Sequence, residues 1–267
     1  MNVSKSGFYH WNNKAVSKRS KQNDIILLNI IRVFNRSKER YGSPRIHHEL
    51  IVNGIQCSVN RVARLMKLNG IHAVTSVKHK KTIKAKNTKG FTDNVLDRSF
   101  KATSPNQKWV SDTTFINTSE GWLYLAVIID LYSRKVIGWS MSRHNNTELV
   151  SKALLMAIKT KKHDQNVLLH SDQGSQYRAK DYLALFDENC IKQSMSEKGN
   201  CHDNAVAESF FATLKNELVY LTKYKTKDAA KSSIFEYIEL FYNRIRRHSY
   251  LNYESPTDFE SKYYNKI

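Results

Sequence analysis

The sequence predicts an α/β fold in which helices pack on a mixed β-sheet, preceded by a small helical region. From Lys108 onward, β-rich runs alternate with runs of helical periodicity, in the order strand, strand, strand, helix, strand, helix, strand, helix. Residues 22–70 instead have the apolar spacing of three helices. With 267 residues, 40% of them apolar, the chain is long enough to bury a sizeable core.

The three N-terminal helices make up a region that we place at residues 1–74. The first helix covers residues 23–37, the second begins at Ser43-Pro44 and ends at Gly54, and the third runs from Ser58 to Gly70 with Val59, Val62 and Met66 on one face. Two short helices joined by residues 53–57 form a helix-turn-helix-like unit. A helical hairpin that simply packs on a neighbour explains the same pattern equally well.

The charge of the chain is concentrated in its first 100 residues. They hold 20 basic and 5 acidic residues, a net charge of +15 out of +19 for the whole chain. Such a block attracts a polyanion through counterion release, so nucleic acid is the first candidate partner and a solvated surface the alternative. In the third helix, Arg61 and Arg64 are candidate DNA contacts.

A basic linker is predicted over residues 75–105. It contains Lys78, Lys80 and Lys81, and no acid lies between Lys78 and Lys89. We expect these lysines to lie along DNA phosphates, although a plain solvated linker would have the same composition.

Several classes of protein are disfavoured. The three cysteines are far apart, which argues against a disulfide framework or a cysteine zinc site and fits a reducing cytoplasm. The N-terminus lacks the apolar segment of a signal peptide. The longest apolar run, Trp122 to Ile129, is too short to cross a bilayer, so no membrane partner is expected.

A catalytic core is predicted over residues 106–225, followed by a C-terminal helix and tail over residues 226–267. The strands are predicted at residues 108–116, 121–133, 135–142, 167–172 and 192–196, and the helices at residues 146–159, 179–189, 203–221 and 227–246.

Three carboxylates in this core are candidate metal ligands. Asp112 lies inside the first strand, Asp172 at the end of the fourth, and Glu208 on the long helix. An aspartate inside a strand is unfavourable and usually needs a partner, which a divalent cation can supply. Three converging carboxylates would suit two Mg²⁺ ions. Spacing alone is weak support, because 24 acids produce many chance triplets.

The long helix presents Glu208 away from its apolar stripe, which we place at Val206, Phe210, Leu214 and Leu218. Lys215 is two turns beyond Glu208 on the same face, and Asn204 precedes it there. This face would suit metal binding beside a phosphate, with Lys215 and Asn204 as DNA contacts. An exposed face of a surface helix is the alternative.

Other polar residues have simpler explanations. Asp130 is expected to cap a strand end and His170 to be buried and hydrogen-bonded, in preference to roles at a metal. Asp203 is expected to cap the long helix in preference to joining Cys201 and His202 around an ion. At the end of the last helix, Arg244, Arg246 and Arg247 are explained equally well by the helix dipole and by contact with DNA.

Several segments, taken in order, resemble the integrase-like core of two-frame insertion-sequence transposases. The 35 residues between Asp172 and Glu208 match the spacing in that superfamily's acidic triad. The resemblance covers nearly the whole chain. It is carried by residues 109–116, 124–139, 170–177 and 194–217 in the core, by residues 41–50 and 61–71 upstream, and by the tail 242–259.

The resemblance implies a ribonuclease-H-like fold and the cleavage and joining of DNA ends. It implies Asp112, Asp172 and Glu208 as ligands of two Mg²⁺ ions, for which Mn²⁺ can substitute, and Lys215 as a contact to the DNA end. It also implies a homo-oligomer that binds DNA in the cytoplasm and is associated with the nucleoid. A further implied partner is an upstream-frame protein, separate or joined by frameshifting. That partner supplies the recognition of terminal repeats, which this chain is expected to lack. The rivals are a structure-selective nuclease on the same fold and a non-catalytic DNA-binding inhibitor.

Overall fold

The computed structural model describes residues 4–12, 17–74, 93–161, 165–196 and 204–266. The chain divides into two compact units, Met1–Thr75 and Ser76–Ile267. Among the described residues, no helix combines the length and the apolar character needed to cross a bilayer.

The first unit is helical, as predicted. Its helices are α1 (Lys5–Asn12), α2 (Lys18–Arg36), α3 (Ser43–Val52) and α4 (Val59–Leu68). The last three pack around buried aliphatic side chains of Ile26, Ile30, Ile46, Leu50, Val62, Leu65 and Met66. Helix α1 was not predicted, whereas α3 begins at Ser43 as predicted, with Gly42 as its cap.

The face of α4 differs in one residue from the predicted one. Val59 is 38% exposed, whereas Val62, Leu65 and Met66 are buried against α2 and α3. Ser58 caps this helix, because its side-chain oxygen accepts a hydrogen bond from the backbone N–H of Arg61.

The second unit contains the predicted mixed sheet. Its strands are β1 (Lys108–Thr118), β2 (Gly121–Asp130), β3 (Val136–Ser142), β4 (Val167–Ser171) and β5 (Ile191–Met195). They lie side by side in the order β3-β2-β1-β4-β5. The first three strands are antiparallel neighbours, and β1, β4 and β5 are parallel neighbours.

Helices lie on both faces of this sheet. Their bounds are α5 (Thr147–Ile158), α6 (Lys180–Glu188), α7 (Ala205–Glu217), α8 (Lys227–Phe235) and α9 (Pro256–Tyr264), with 3₁₀ turns at Ser175–Tyr177, Val219–Leu221 and Ser249–Leu251. Helix α5 packs on β2 and β3 so closely that a Cβ at Gly138 would lie 2.2 Å from the carbonyl oxygen of Ala153. Trp139, one residue later and facing the other way, contacts Phe235 of α8.

The C-terminal segment belongs to the core. Helix α8 continues as one π-helical stretch, Glu236–Tyr242, and the predicted helix therefore ends before Arg246. The amide of Asn243 accepts the backbone N–H of Val136 and donates to the carbonyl oxygen of the same residue. Lys135 also forms an ion pair with Glu260 of α9, a helix that was not predicted. These contacts fasten the C-terminal segment to the beginning of β3.

The end of the predicted linker also contacts the core. Residues 75–92, with Lys78, Lys80 and Lys81, lie outside the described residues. Leu96 is 1% exposed, and its backbone N–H donates to the Ser194 hydroxyl of β5 at 3.0 Å. Residues 93–105 are therefore part of the second unit.

Candidate active site

Two of the predicted carboxylates occupy equivalent positions on neighbouring parallel strands. The pairing of β1 with β4 ends where Val110 lies opposite His170. Asp112 is two residues beyond Val110, and Asp172 is two residues beyond His170, just past the end of β4. Because side chains alternate along a strand, this register directs both carboxylates toward the same side of the sheet.

The side in question is opposite to α5. Trp109 and Ala126 belong to the core cluster under α5, and Asp112 pairs with Val127, the neighbour of Ala126 that faces the other way. That other side is covered by α8 and by α7, the helix that carries Glu208. Strand, strand end and helix therefore bring the three carboxylates to one region.

The electrostatics of Asp112 report this convergence. Asp112 is partly buried, and its Oδ1 accepts the backbone N–H of Thr113 at 2.7 Å. Burial raises the pKa of Asp112 to about 7, and the charges of Asp172 and Glu208 add to the rise, whereas Lys215 opposes it. The carboxylates of Asp172 and Glu208 thus lie close enough to Asp112 for their charges to act on it.

Asp172 stands at the opening of a turn. Its Oδ1 accepts the backbone N–H of Gly174 at 3.0 Å. Asp172 is exposed as a whole, but the protein around its carboxyl group removes part of the water, which raises the pKa of Asp172, and the hydrogen bond from Gly174 opposes the rise. The first two carboxylates are therefore each bonded to a nearby backbone N–H.

Helix α7 places Glu208 by burying a different set of side chains from the predicted stripe. Phe210 and Leu214 are buried as expected, but Ala207, Phe211 and Glu217 are buried too, and Val206 is only partly covered. The helix begins at Ala205 with Asn204 as its cap, whereas Asp203 lies outside the described residues, as do Cys201 and His202. Glu208 remains partly exposed.

Asn204 ties the beginning of α7 to β1, and it is not the surface residue expected to contact DNA. It is 5% exposed, and its Nδ2 donates to the carbonyl oxygen of Ser111 at 3.1 Å. Its Oδ1 is buried and has no hydrogen-bond partner among the described residues. Because Ser111 precedes Asp112, this bond fixes the helix of Glu208 against the strand of Asp112.

Lys215 lies on α7 within electrostatic reach of Asp112. It is partly buried, which lowers the pKa of its ammonium group, and the charge of Asp112 opposes that effect. Its Nζ is 5.2 Å from the centre of the Phe115 ring. The ammonium group therefore lies near the Phe115 ring and within electrostatic reach of Asp112.

The donor set fits hard divalent cations, which prefer carboxylate oxygens. A cation would offset the charges of Asp172 and Glu208, which add to the rise that burial causes in the pKa of Asp112. In the described part of the chain, however, the side chains of His, Cys, Asp and Glu do not form any group of three or more that could hold a metal ion in its present conformation. Metal ligation would require the carboxylates of Asp112 and Asp172 to give up their bonds to the backbone N–H groups of Thr113 and Gly174.

Two polar residues with alternative metal roles are structural, as predicted. Asp130 is fully buried and accepts the backbone N–H groups of Asn106 and Ser133 at 2.8 Å each, together with the Ser133 hydroxyl at 2.9 Å. His170 is fully buried between the hydroxyl groups of Ser194 and Ser196.

The predicted arginine contacts separate into two groups. Arg246 is 5% exposed, and its Nε and an Nη bond both carboxylate oxygens of Glu217 at 2.7–3.1 Å. This buried pair corrects the expected DNA contact of Arg246, because its guanidinium group is enclosed by protein. Arg61 is partly buried and donates to Asn23 of α2 at 2.9 Å. Arg64 and Arg244 are exposed, and Arg247, partly exposed, donates to the carbonyl oxygen of Tyr253.

Sequence reasoning missed Glu217. Its partner Arg246 is 29 residues away, so no local spacing indicates the pair. The available signal was its position three residues after Leu214, on the same face of α7. The predicted buried face of this helix was too narrow to include it.

Sequence comparisons agree with this architecture. Residues 102–201 and 189–256 match the family "Integrase core domain", and residues 21–80 match the family "HTH-like domain". The chain is 40% identical over 264 residues to the transposase InsF for insertion sequence IS3A of Escherichia coli (strain K12), covering 98% of this chain and 92% of the relative. It is 41% identical over 262 residues to the insertion element IS600 uncharacterized 31 kDa protein of Shigella sonnei, covering 98% and 96%.

A solved structure of the HTLV-2 integrase catalytic core domain in complex with magnesium aligns with 60% of this chain and 99% of its own, at 16% identity and a TM-score of 0.47. That likeness is far weaker than the relationship to the curated proteins, which extends over nearly the full length of both chains. On that relationship, together with the two matched domain families, the chain belongs to the family of insertion-sequence transposases with an integrase core.

Proposed function

We propose that Asp112, Asp172 and Glu208 are the catalytic carboxylates of this transposase and hold two Mg²⁺ ions, for which Mn²⁺ can substitute. Membership of the family gives the general activity, transposition with DNA integration by a polynucleotidyl transferase. The observation that best supports the residue assignment is the register of β1 and β4, which puts Asp112 and Asp172 at equivalent positions on the side covered by the Glu208 helix.

The reaction is in-line displacement at phosphorus. In the first step a water oxygen bonds to phosphorus at the element end, the bond from phosphorus to the 3′-oxygen breaks, and a 3′-hydroxyl is freed. In the second step this hydroxyl oxygen bonds to a target phosphorus, and a phosphodiester bond of the target breaks. When bound, divalent ions supply Lewis-acid activation of the attacking oxygen and stabilisation of the leaving one.

The residues of the chain have separate tasks in this scheme. The three carboxylates bind the cations. Asn204 holds α7 against β1 and so keeps Glu208 in register with Asp112. Lys215 is a mobile point charge that can contact a phosphate next to the carboxylates, and it positions DNA without activating the nucleophile.

DNA is the proposed substrate, both as element ends and as target. The basic residues proposed to contact it outside the core site are Arg64, Lys78, Lys80, Lys81, Arg244 and Arg247. Arg61 braces α4 against α2, so its part in DNA binding is the weaker proposal. We further propose that the chain works in the cytoplasm on the nucleoid, as a homo-oligomer on DNA and with an upstream-frame protein or as a fusion to it.

A strand-transfer assay with Mg²⁺ tests the proposal. Parent chain and upstream-frame fusion are compared with Asp172→Asn and Glu208→Gln, with Glu188→Gln, an exposed glutamate at the end of α6, as the matched control. We expect the two site variants to bind DNA normally and to form no joined product, and Glu188→Gln to resemble the parent. Joining by Glu208→Gln at the parent's rate would contradict the assignment, and cleavage without joining by parent and fusion would favour the nuclease.

A further inference from the structure

A cleft of about 530 Å³ opens at the outer half of the β1–β2 hairpin, with Lys215 in its lining. The pairing of β1 with β4 ends at Val110, so β4 does not flank the part of β1 that lines the cleft. The other wall is formed by Lys215 and the residues that follow α7, including Tyr220 and Lys223. Lys215 is therefore common to the cleft and to the surroundings of Asp112, whose charge acts on its ammonium group.

Aromatic side chains are exposed in this cleft. Phe115 is 54% exposed and Trp122 is 48% exposed, and the two rings meet edge to face with their centres 4.9 Å apart. Tyr220, in the opposite wall, is 47% exposed. Large aromatic groups are ordinarily covered in a protein of this size, and an exposed group of them marks a surface that binds something.

The charge of the cleft has one sign. Lys215 and Lys223 line it, and no Asp or Glu is present among the described lining residues. The acid at the hairpin turn, Glu120, does not line the cleft and accepts the backbone N–H of Lys227. Positive charge beside aromatic rings suits a ligand that is both anionic and planar, which describes a nucleotide.

We propose that this cleft binds an unpaired base at the end of the DNA strand that Lys215 and the carboxylates hold. Inside a duplex both faces of a base are already stacked, so the base must be unpaired before it can lie against Phe115 and Trp122. Unpairing is least costly at a duplex end, where one neighbour is missing. This inference rests on the proposed function, because it places the DNA end at the carboxylates, and it adds the group that receives the base.

The test measures preference for unpaired ends. The full chain is titrated with two fluorescent duplexes of the same length, one fully paired and one with mismatched terminal bases. The parent is expected to bind the mismatched duplex more tightly, and in Trp122→Ala and Phe115→Ala this preference should fall by roughly 5- to 150-fold, the usual effect of losing one base–aromatic stack. Trp122→Phe keeps a ring and should keep most of the preference.

The control is Tyr264→Ala, which removes an equally exposed aromatic ring from α9, away from the cleft lining. It should leave the preference unchanged. The salt dependence of binding should be the same for Trp122→Ala and the parent, because no phosphate contact is lost, and it should weaken in Lys223→Ala. A Trp122→Ala chain that keeps the full preference for mismatched ends overturns the proposal.

Photocrosslinking locates the base independently of affinity. A terminal 5-iododeoxyuridine should crosslink to the β1–β2 hairpin of the parent, and polyglutamate should compete poorly. Crosslinks confined to other segments would overturn the proposal, and efficient competition by polyglutamate would show that the cleft recognises charge alone. These outcomes are separate from failure of the proposed catalytic centre, which would appear as normal joining by Glu208→Gln whatever the state of the cleft.

Discussion

Asp112 and Asp130 lie on adjacent strands of one sheet, and both have pKa values raised first by burial, yet their surroundings differ. Asp130 accepts three hydrogen bonds, from Asn106 and Ser133, at the end of β2. Asp112 accepts one from its own neighbour and faces two further acids. A carboxylate whose hydrogen bonds are all supplied by the protein holds the fold together, whereas a carboxylate surrounded by like charge is suited to a cation from outside.

The largest expected effect comes from making the same substitution at both positions. Asp112→Asn should lower joining about a thousandfold or more, because loss of a metal ligand removes several kcal/mol of transition-state stabilisation. Asp130→Asn should leave joining per folded molecule unchanged and lower the free energy of unfolding by about 1–3 kcal/mol, since one buried donor loses its acceptor. Strand-transfer rates and urea melts of both variants measure this contrast. An equal loss of joining in Asp112→Asn and Asp130→Asn would contradict the different roles given to the two carboxylates.

The basic N-terminal region differs from the rest of the chain in net charge, and we expect this difference to govern DNA binding. Residues 1–100 contain 20 basic and 5 acidic residues, so basic residues outnumber acidic ones fourfold in that stretch. A fragment of residues 93–267 keeps Leu96 in the core and has a net charge of only +3. We expect it to bind DNA far more weakly than the full chain and with a shallower salt dependence. Fluorescence anisotropy over a series of salt concentrations gives both quantities, and identical slopes would contradict the expectation.

The buried pair of Glu217 and Arg246 is the fully satisfied counterpart of the site. Glu217 accepts the guanidinium group of Arg246 and the hydroxyl of Tyr237 at 2.8 Å. Glu217→Ala leaves a buried cation without a partner and should lower the free energy of unfolding by about 3–5 kcal/mol. Glu148→Ala breaks an exposed ion pair with Lys152 and should leave the thermal midpoint unchanged. Similar midpoints for the two variants would show that Arg246 finds other partners.

The smallest effect is expected at Lys215. Lys215→Ala should weaken binding of the DNA end about tenfold and lower the salt slope by about 1, because one phosphate contact is lost. The fold should be unaffected, since the side chain is only partly buried. Lys225→Ala, at an exposed position after α7, is the control. Anisotropy titrations that show equal affinity for Lys215→Ala and the parent would make Lys215 an ordinary surface lysine.

The sequence predicts much of the fold because its strong patterns are local. The apolar run of β2 and the periodicity of α5 identify those elements within a few residues. Asp112 was identified because an aspartate interrupts an apolar strand. Asp172 and Glu208 were identified from the number of residues between them and from the segments that resemble the transposase family. Helix α9 was overlooked even though Ser255-Pro256 is a strong start signal, with Ser255 accepting the N–H of Asp258.

What the sequence could not predict depends on contacts between distant residues. The helical wheel placed Asn204 with Glu208 on one face, but the helix begins only at Ala205, and Asn204 reaches back 93 residues to Ser111. From the sequence, Arg246 is a cation near the end of a helix. Only the packing of the elements shows that it pairs with Glu217. Periodicity locates an element, whereas the partner of a polar side chain is decided by how the elements pack.

The bond between Asn243 and Val136 has a consequence for the order in which the protein is made. It joins residues 107 positions apart, and the side chain of Asn243 holds both the N–H and the carbonyl oxygen of Val136. A ribosome must therefore synthesise and release the segment after α8 before the beginning of β3 is fastened. Contacts of such long range also slow folding. A nascent chain that carries all three carboxylates but not yet Asn243 thus lacks this tie, so the beginning of β3 gains its support only after Asn243 has been synthesised.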